Sequence, residues 1–104
     1  MIKDKQSDKK QTADSPCVYI LLCGDGTLYT GWTNNLKKRL SVHNSGKGAK
    51  YTRGRLPVSA VYVEFLPDKS SATRREAAIK KLSAEKKRQL IASDKNQLFM
   101  VSST

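Results

Sequence analysis

The sequence has few cysteines and no long apolar segment. Its 104 residues include only Cys17 and Cys23, which are too few for a disulfide framework. No apolar run approaches the ~20 residues that cross a bilayer. Residues 1–14 are charged and lack the apolar segment of a secretory signal. We therefore expect a reduced, cytoplasmic chain without a membrane partner.

Acidic residues are also scarce. The chain carries 20 Lys and Arg residues against 9 Asp and Glu residues, which gives a formal net charge of +11. Such an excess on one small domain creates a strong positive field and favours a polyanionic partner. Because no long amphipathic helix offers an apolar face to lipid, nucleic acid is the expected partner. The sequence also lacks a Cys/His metal cluster, a P-loop and a Ser-His-Asp arrangement.

Hydrophobic patterning predicts an α+β domain with the order ββαβαα, in which helices cover a three-stranded sheet. We expect a disordered basic leader over 1–15, a folded domain over 16–92 and a tail over 93–104 whose structure is left open. The predicted strands span 17–23, 27–32 and 58–65. The predicted helices run from a cap at Thr33 or Asn34 to Gly46, from about Ala72 to Lys81, and over 84–92.

The turn at residues 24–26 leaves two registers open for the first two strands. If all three residues form the loop with Gly26 in a left-handed conformation, Tyr19 pairs with Gly31, and Tyr19 and Tyr29 lie on one face. A two-residue turn would place the two tyrosines on opposite faces of the sheet. The sequence permits both registers.

Three charged or titratable residues fall on helix faces that should be buried. Arg39 and His43 share the inward stripe of the first helix, and Glu76 lies on that of the second. Burying such groups without partners is costly, so either the stripes reach solvent or the three side chains share a pocket. In the first register, the missing side chain at Gly31 would leave a hollow beside the tyrosines. Together these groups would suit a phosphodiester.

The same residues resemble the GIY-YIG endonuclease family. Cys17-Val18-Tyr19 stands in place of Gly-Ile-Tyr, and Tyr29-Thr30-Gly31 follows ten positions later in place of Tyr-Ile-Gly. Arg39, His43 and Glu76 complete the resemblance, which covers residues 16–92 and is closest to the small, standalone bacterial branch. It implies a three-stranded antiparallel sheet flanked by helices.

The resemblance also implies an activity, the metal-dependent hydrolysis of DNA phosphodiesters in repair or processing. Glu76 would hold Mg²⁺ or Mn²⁺, and Arg39 would clamp the scissile phosphate. Tyr19 or Tyr29 would orient or deprotonate the attacking water, and the sequence does not rank them. His43 would relay the proton or bind the phosphate. No organic cofactor is implied.

The connector over residues 46–57 and the first helix supply a basic footprint. No acid interrupts the segment from Lys37 to Arg55. We expect six of its cations to contact nucleic acid: Lys37, Lys38, Lys47, Lys50, Arg53 and Arg55. Tyr51 in the same segment is a candidate for stacking on a base. The alternative to a nuclease is a non-catalytic nucleic-acid-binding module that keeps the GIY-YIG fold.

Overall fold

The computed structural model describes residues 15–101. Nearly all of the predicted leader, residues 1–14, lies outside that range, as do residues 102–104. The strands and helices, in chain order, are β1 (Cys17–Leu22), β2 (Leu28–Thr33), α1 (Leu36–Asn44), α2 (Lys50–Arg53), β3 (Ser59–Phe65), α3 (Lys69–Lys80) and α4 (Ala84–Ile91), and a 3₁₀ turn follows at Leu98–Met100. The structure confirms the predicted α+β class and adds one short helix, α2, in the connector.

The three strands form an antiparallel sheet in the order β2-β1-β3. The first five residues of the central strand, β1, are almost completely buried. Because alternate side chains of a strand point to opposite faces, Cys17, Tyr19 and Leu21 belong to one core cluster and Val18 and Ile20 to another. The continuous apolar run in β1 therefore reflects burial on both faces.

The turn between β1 and β2 adopts the first of the two predicted registers. Residues 24–26 form a three-residue loop, and Gly26 has a φ of 86°. Tyr19 consequently pairs with Gly31, and Tyr29 lies on the same face of the sheet. Since a residue with a Cβ is strained at such a φ, Gly26 supports the loop length that sets this register.

Helices cover the sheet on both faces, which gives three layers. On the face that carries both tyrosines, here called the α1 face, α1 packs through Leu36 and Leu40. On the opposite face, here called the α3 face, α3 packs through Ala72 and Ile79, and α4 adds half-buried side chains. No helix within residues 15–101 combines the length and the apolar character needed to cross a membrane.

Helix α1 begins at a different capping residue from those that the sequence suggested, and α3 begins earlier than predicted. Asn35 caps α1, because its side chain accepts a hydrogen bond from Lys38 N at 3.0 Å. Asp68 caps α3, because its carboxylate accepts a hydrogen bond from Ser71 N at 2.8 Å, and α3 therefore starts three residues before the predicted position. Gly46 follows the end of α1 with a φ of 83°, as predicted.

The segment after α4, which the sequence left undecided, binds the free edge of β3. The Asn96 side chain accepts from Val63 N at 3.2 Å and donates to Val61 O at 2.8 Å. The Gln97 side chain accepts from Phe65 N at 2.8 Å. These side chains satisfy backbone groups that an edge strand otherwise exposes. Asn96 thus has a structural role, because its side chain caps the edge of β3.

Candidate active site

The two tyrosines predicted for the site lie side by side on the α1 face. Tyr19 is 1% exposed, whereas Tyr29 is half-buried, and their ring centroids are 6.5 Å apart. Gly31 leaves room for the Tyr19 phenol, because a Cβ at position 31 would lie 2.6 Å from the phenol oxygen. The space that the sequence predicted as a hollow beside Gly31 is therefore used by the Tyr19 side chain itself.

His43 joins the tyrosines from α1. It is fully buried, with Nε2 3.1 Å from the Tyr19 hydroxyl oxygen and Nδ1 2.9 Å from Thr52 Oγ1. The centroids of the His43 and Tyr29 rings are 5.4 Å apart. The backbone of Gly48 lies against the same imidazole, where a Cβ would overlap Nδ1. The imidazole is thus held at both nitrogens and packed on its side.

Burial keeps this phenol–imidazole pair uncharged at neutral pH. It lowers the pKa of His43 below the usual histidine value, and the positive charge of Arg39 lowers that pKa further. Burial raises the pKa of Tyr19 to about 12, although a hydrogen bond from the Arg39 guanidinium opposes the shift. The imidazole is therefore a neutral base, and the phenol keeps its proton.

Arg39 lies one helical turn before His43 on α1. Its Nε is buried and has no hydrogen-bond partner within residues 15–101. An unpaired buried donor costs free energy, and a guanidinium binds two oxygens of one phosphate through parallel N–H groups. The structure thus keeps a cationic donor unpaired beside the Tyr19 phenol, which suits a phosphate clamp.

Tyr51 and Arg55 form a wall next to Tyr29. The Tyr51 ring stacks on Tyr29 with centroids 5.8 Å apart, and Arg55 Cζ lies 4.1 Å from the centroid of the Tyr51 ring. Arg55 Nε lies 3.0 Å from Asp25 Oδ2 in the β1–β2 turn. The Tyr51 ring thus contacts Tyr29 and Arg55 and is still 38% exposed, so its stacking on a base stays a prediction.

The remaining cations of the predicted footprint are exposed on both sides of α1: Lys37, Lys38, Lys47, Lys50 and Arg53. The first two lie in the first turn of α1 and the others follow its end. Arg53 Nε also donates to Gly48 O at 3.3 Å. The helix that carries the site residues is therefore flanked by positive charge at both ends.

Glu76, the predicted metal ligand, lies on α3 in the layer across the sheet. Its Oε2 is 3.3 Å from Lys80 Nζ. The preceding residue, Arg75, donates to Glu64 Oε1 on β3 at 2.9 Å. Because successive helical residues are about 100° apart, Arg75 and Glu76 lie on opposite flanks of the buried stripe. Glu76 therefore lies on the flank that faces away from β3, toward β2.

The structure thus brings four of the five predicted catalytic residues into one cluster on the α1 face: Tyr19, Tyr29, Arg39 and His43. Glu76 stands apart from them, on the β2 side of α3. Sequence reasoning missed Thr52 and Gly48, which hold His43. A lone buried threonine creates no periodic pattern, and Thr52 lies in a connector whose composition is that of an exposed loop. The glycine at position 48 could have indicated this contact, since glycine permits close approach of the backbone to a side chain.

The cluster and its sheet define the class of protein. A family model described as the GIY-YIG catalytic domain matches residues 15–89, from just before β1 into α4. The match covers more than half of the chain. This chain belongs to the GIY-YIG family.

The similar proteins carry the family name UPF0213. A UPF0213 protein of Clostridium perfringens is 62% identical over 76 residues, which are 73% of this chain and 82% of the relative. One from Syntrophus aciditrophicus is 54% identical over 82 residues, which are 78% of this chain and 94% of the relative. The printed names of these relatives state no activity.

Two solution NMR structures show the same fold. The UPF0213 protein of Bacillus halodurans is 43% identical and superposes with a TM-score of 0.52 over 86% of this chain and 99% of its own. A protein of E. faecalis is 45% identical, with a TM-score of 0.53 over 75% of this chain and 83% of its own. The family and its fold are thus shown by both sequence and structure.

Proposed function

We propose that this protein is a metal-dependent endonuclease that hydrolyses phosphodiester bonds in DNA. The observation that carries the proposal is Arg39, whose buried Nε lacks a hydrogen-bond partner within the described residues and which lies beside the Tyr19–His43 pair. The Arg39 side chain as a whole is partly exposed, and a phosphate bound by its guanidinium would supply the compensating charge. Membership of the GIY-YIG family supports the same class of reaction.

The two tyrosines take different parts in the proposed reaction. Tyr29 keeps partial exposure, so it is the phenol that can meet a water molecule arriving from solvent, and we assign it to orienting that water. Tyr19 is buried and hydrogen-bonded to His43. Since phenols seldom ionise near neutral pH, a proton taken from water would have to pass through Tyr19 to a better base, and the neutral imidazole of His43, 3.1 Å from the Tyr19 hydroxyl, supports that relay.

A divalent cation at this site would have to be held mainly by substrate and water, because Glu76 lies on α3, across the sheet from the two tyrosines. Glu76 is the protein ligand in this proposal, and a bound cation would replace Lys80, whose Nζ lies 3.3 Å from Glu76 Oε2. No group of three or more His, Cys, Asp or Glu side chains within residues 15–101 is arranged to hold a metal. Mg²⁺ is commonly bound by one or two carboxylates together with phosphate oxygens and water. A bound ion would stabilise the charge that develops on the leaving oxygen.

The choice of DNA as the substrate rests on charge. The exposed cations at both ends of α1 would attract a polyanion, and each phosphate contact would release counterions. Arg55, which the sequence assigned to this footprint, is engaged with Asp25 and Tyr51, so we assign phosphate contacts to the lysines and Arg53. The proposed substrate therefore runs along α1, across the cluster that contains Arg39.

The test is cleavage of single-stranded, duplex and branched DNA by the full chain in Mg²⁺ or Mn²⁺. We expect product with either metal and none in the presence of a chelator. Glu76→Gln keeps the shape of the side chain but removes the anionic ligand, and it should slow cleavage by about 100-fold or more. Glu85→Gln, at an exposed position on α4, is the matched control and should cleave like the wild type. Equal rates for Glu76→Gln and the wild type would overturn the proposal.

Binding without cleavage would favour the alternative, a nucleic-acid-binding module with the GIY-YIG fold. The exposed lysines support binding in either case. Affinity should fall steeply with salt concentration, because phosphate contacts release counterions. An affinity that does not change with salt would contradict both functions.

A further inference from the structure

We propose that Thr52 is a positioning residue that fixes the tautomer of His43, so that Nδ1 carries the proton and Nε2 stays free to accept a proton from Tyr19. The hydrogen-bonding partners of the imidazole carry this inference. Its catalytic consequence rests on the proposed function, whereas the tautomer itself does not.

The imidazole alone does not decide its tautomer. Both of its nitrogens face hydroxyl groups, with Tyr19 at Nε2 and Thr52 at Nδ1. A hydroxyl can donate or accept, so each hydrogen bond could run in either direction. The direction must therefore be set by what lies beyond the two hydroxyls.

On the Thr52 side, the partner beyond the hydroxyl is a carbonyl. Thr52 Oγ1 lies 2.9 Å from Ala49 O, which can only accept. If the Thr52 hydrogen pointed to His43 instead, two oxygen lone pairs would face each other at this distance with no proton between them. The Thr52 hydroxyl therefore donates to Ala49 O and accepts from His43 Nδ1–H.

On the Tyr19 side, the neighbouring group is a donor. The Arg39 guanidinium has only N–H groups, so it cannot accept a hydrogen bond, and it lies close enough to Tyr19 to oppose the rise of the Tyr19 pKa. The hydrogen of the Tyr19 hydroxyl is therefore free to point to His43 Nε2, 3.1 Å away. The Thr52 side requires this tautomer and the Tyr19 side is compatible with it, so the hydrogen bonds from Tyr19 to His43, from His43 to Thr52 and from Thr52 to Ala49 all run in one direction.

The connector holds this arrangement in place. Thr52 is completely buried, and the backbone of Gly48 packs so closely on His43 that a Cβ would overlap Nδ1. The four-residue helix α2 places Thr52 one turn after the carbonyl of Ala49. A threonine that bonds its own helical turn is common, but this one also contacts the imidazole that faces Tyr19.

The tautomer determines which proton transfer is available. With Nε2 unprotonated, the O–H bond of Tyr19 can break while an N–H bond forms at Nε2, giving a tyrosinate beside Arg39 and an imidazolium. The imidazolium keeps its second proton on Nδ1, donated to Thr52. In the opposite tautomer Nε2 already carries a proton, and His43 cannot accept one from Tyr19.

The chain contains one histidine, which makes the test direct. We would label histidine with ¹⁵N in the full chain without a polyhistidine tag and record correlations between the ring protons and ring nitrogens above the pKa of His43. The expected spectrum shows an unprotonated Nε2 and a protonated Nδ1. A protonated Nε2 in the wild type would overturn the inference, whatever the variants do.

Two variants separate positioning from packing. Thr52→Val removes the acceptor and should shift the tautomer toward protonated Nε2, whereas Thr52→Ser keeps the hydroxyl and should retain the wild-type spectrum. Thermal unfolding of both variants measures any loss of packing. An unchanged tautomer in folded Thr52→Val would contradict the inference, and if that variant does not fold, the wild-type spectrum remains the deciding measurement.

The catalytic consequence has its own readout. Thr52→Val should cleave DNA about 10-fold to 100-fold more slowly, as is typical when the orienting partner of a functional histidine is lost, and Thr52→Ser should restore the rate. Equal rates for Thr52→Val and the wild type across the pH range would overturn the catalytic part. If the wild type has the expected tautomer but does not cleave DNA, the proposed function fails while the assignment of Thr52 stands.

Discussion

The α1 face and the α3 face are built from alternate residues of the same strands, yet they bury different chemistry. On the α1 face, Tyr19, His43 and Thr52 are buried and joined by hydrogen bonds. On the α3 face, the buried cluster is aliphatic apart from Tyr62, whose hydroxyl donates to Glu64 at 2.6 Å. One strand thus separates an apolar core that also contains a chain of polar side chains from one that is largely apolar throughout.

The two faces also differ in whether their charged groups are satisfied. Arg75 on the α3 face is paired with Glu64 at 2.9 Å, whereas Arg39 on the α1 face keeps a buried Nε without a partner among the described residues. Thr30 Oγ1 on the α3 face is also buried and unpaired, but a hydroxyl carries no charge and does not require an anion. Within residues 15–101, the α3 face therefore holds a paired arginine, whereas the α1 face holds one with an unpaired nitrogen.

The largest expected effect comes from replacing Arg39 and Arg75 with glutamine in two separate variants. Arg39→Gln removes the proposed clamp and should reduce DNA cleavage by about 100-fold to 1,000-fold. Arg75→Gln breaks a partly exposed ion pair and should lower the free energy of unfolding by about 1 kcal/mol, while the folded protein cleaves normally. Cleavage rates and urea unfolding measure both. Normal cleavage by Arg39→Gln would remove the distinction between the faces.

A smaller effect is expected from adding a side chain at Gly48, whose backbone packs closely against His43. Gly48→Ala would place a Cβ 2.8 Å from His43 Cα, and we expect a loss of about 1–3 kcal/mol in the free energy of unfolding, typical of overpacking. Gly54→Ala is the control, because a Cβ there meets no atom within 4 Å and the backbone φ is −95°. It should change stability by less than about 0.5 kcal/mol. Equal stability of the two variants would mean that Gly48 and His43 are not closely packed on the α1 face.

The smallest effect is a shift in a titration. NMR should show that the pKa of His43 lies below the usual histidine value, and Arg39→Gln should raise it, because a repelling charge is removed. With the folded pKa below the unfolded one, the unfolded state binds more protons as the pH falls. The contribution of His43 to stability is therefore present above the unfolded pKa and is lost as the pH drops through the folded pKa. A pKa at or above the usual value would contradict burial of His43 as a neutral base.

Much of the fold could be predicted from the sequence, because the patterns that indicate strands and helices involve residues close together in the chain. The apolar run of β1 predicted a strand covered on both faces, and the spacing of Arg39 and His43 placed them on one face of a helix. The capping residues Asn35 and Asp68 were missed, because several neighbouring side chains could accept the same backbone hydrogen bonds. The register of the hairpin stayed open until the conformation of Gly26 was known.

The site was less predictable because its contacts are distant in sequence. Tyr19 and His43 were identified as members, but the role of Thr52 depends on a hydrogen bond across nine residues in a segment without periodic pattern. The wall formed by Tyr51 and Arg55 depends on Asp25 in another turn. Charge counting assigned Arg55 to nucleic acid, and composition alone could not show its contacts with Asp25 and Tyr51.

Metal-dependent DNA cleavage by the wild-type chain, compared with Glu76→Gln under identical conditions, tests the central claim most directly. The structure and the family relationship together predict product in Mg²⁺ or Mn²⁺ for the wild type and a loss of about 100-fold or more for the variant. Product formed at the same rate by both proteins, or by neither, would contradict the assignment of nuclease activity to this site.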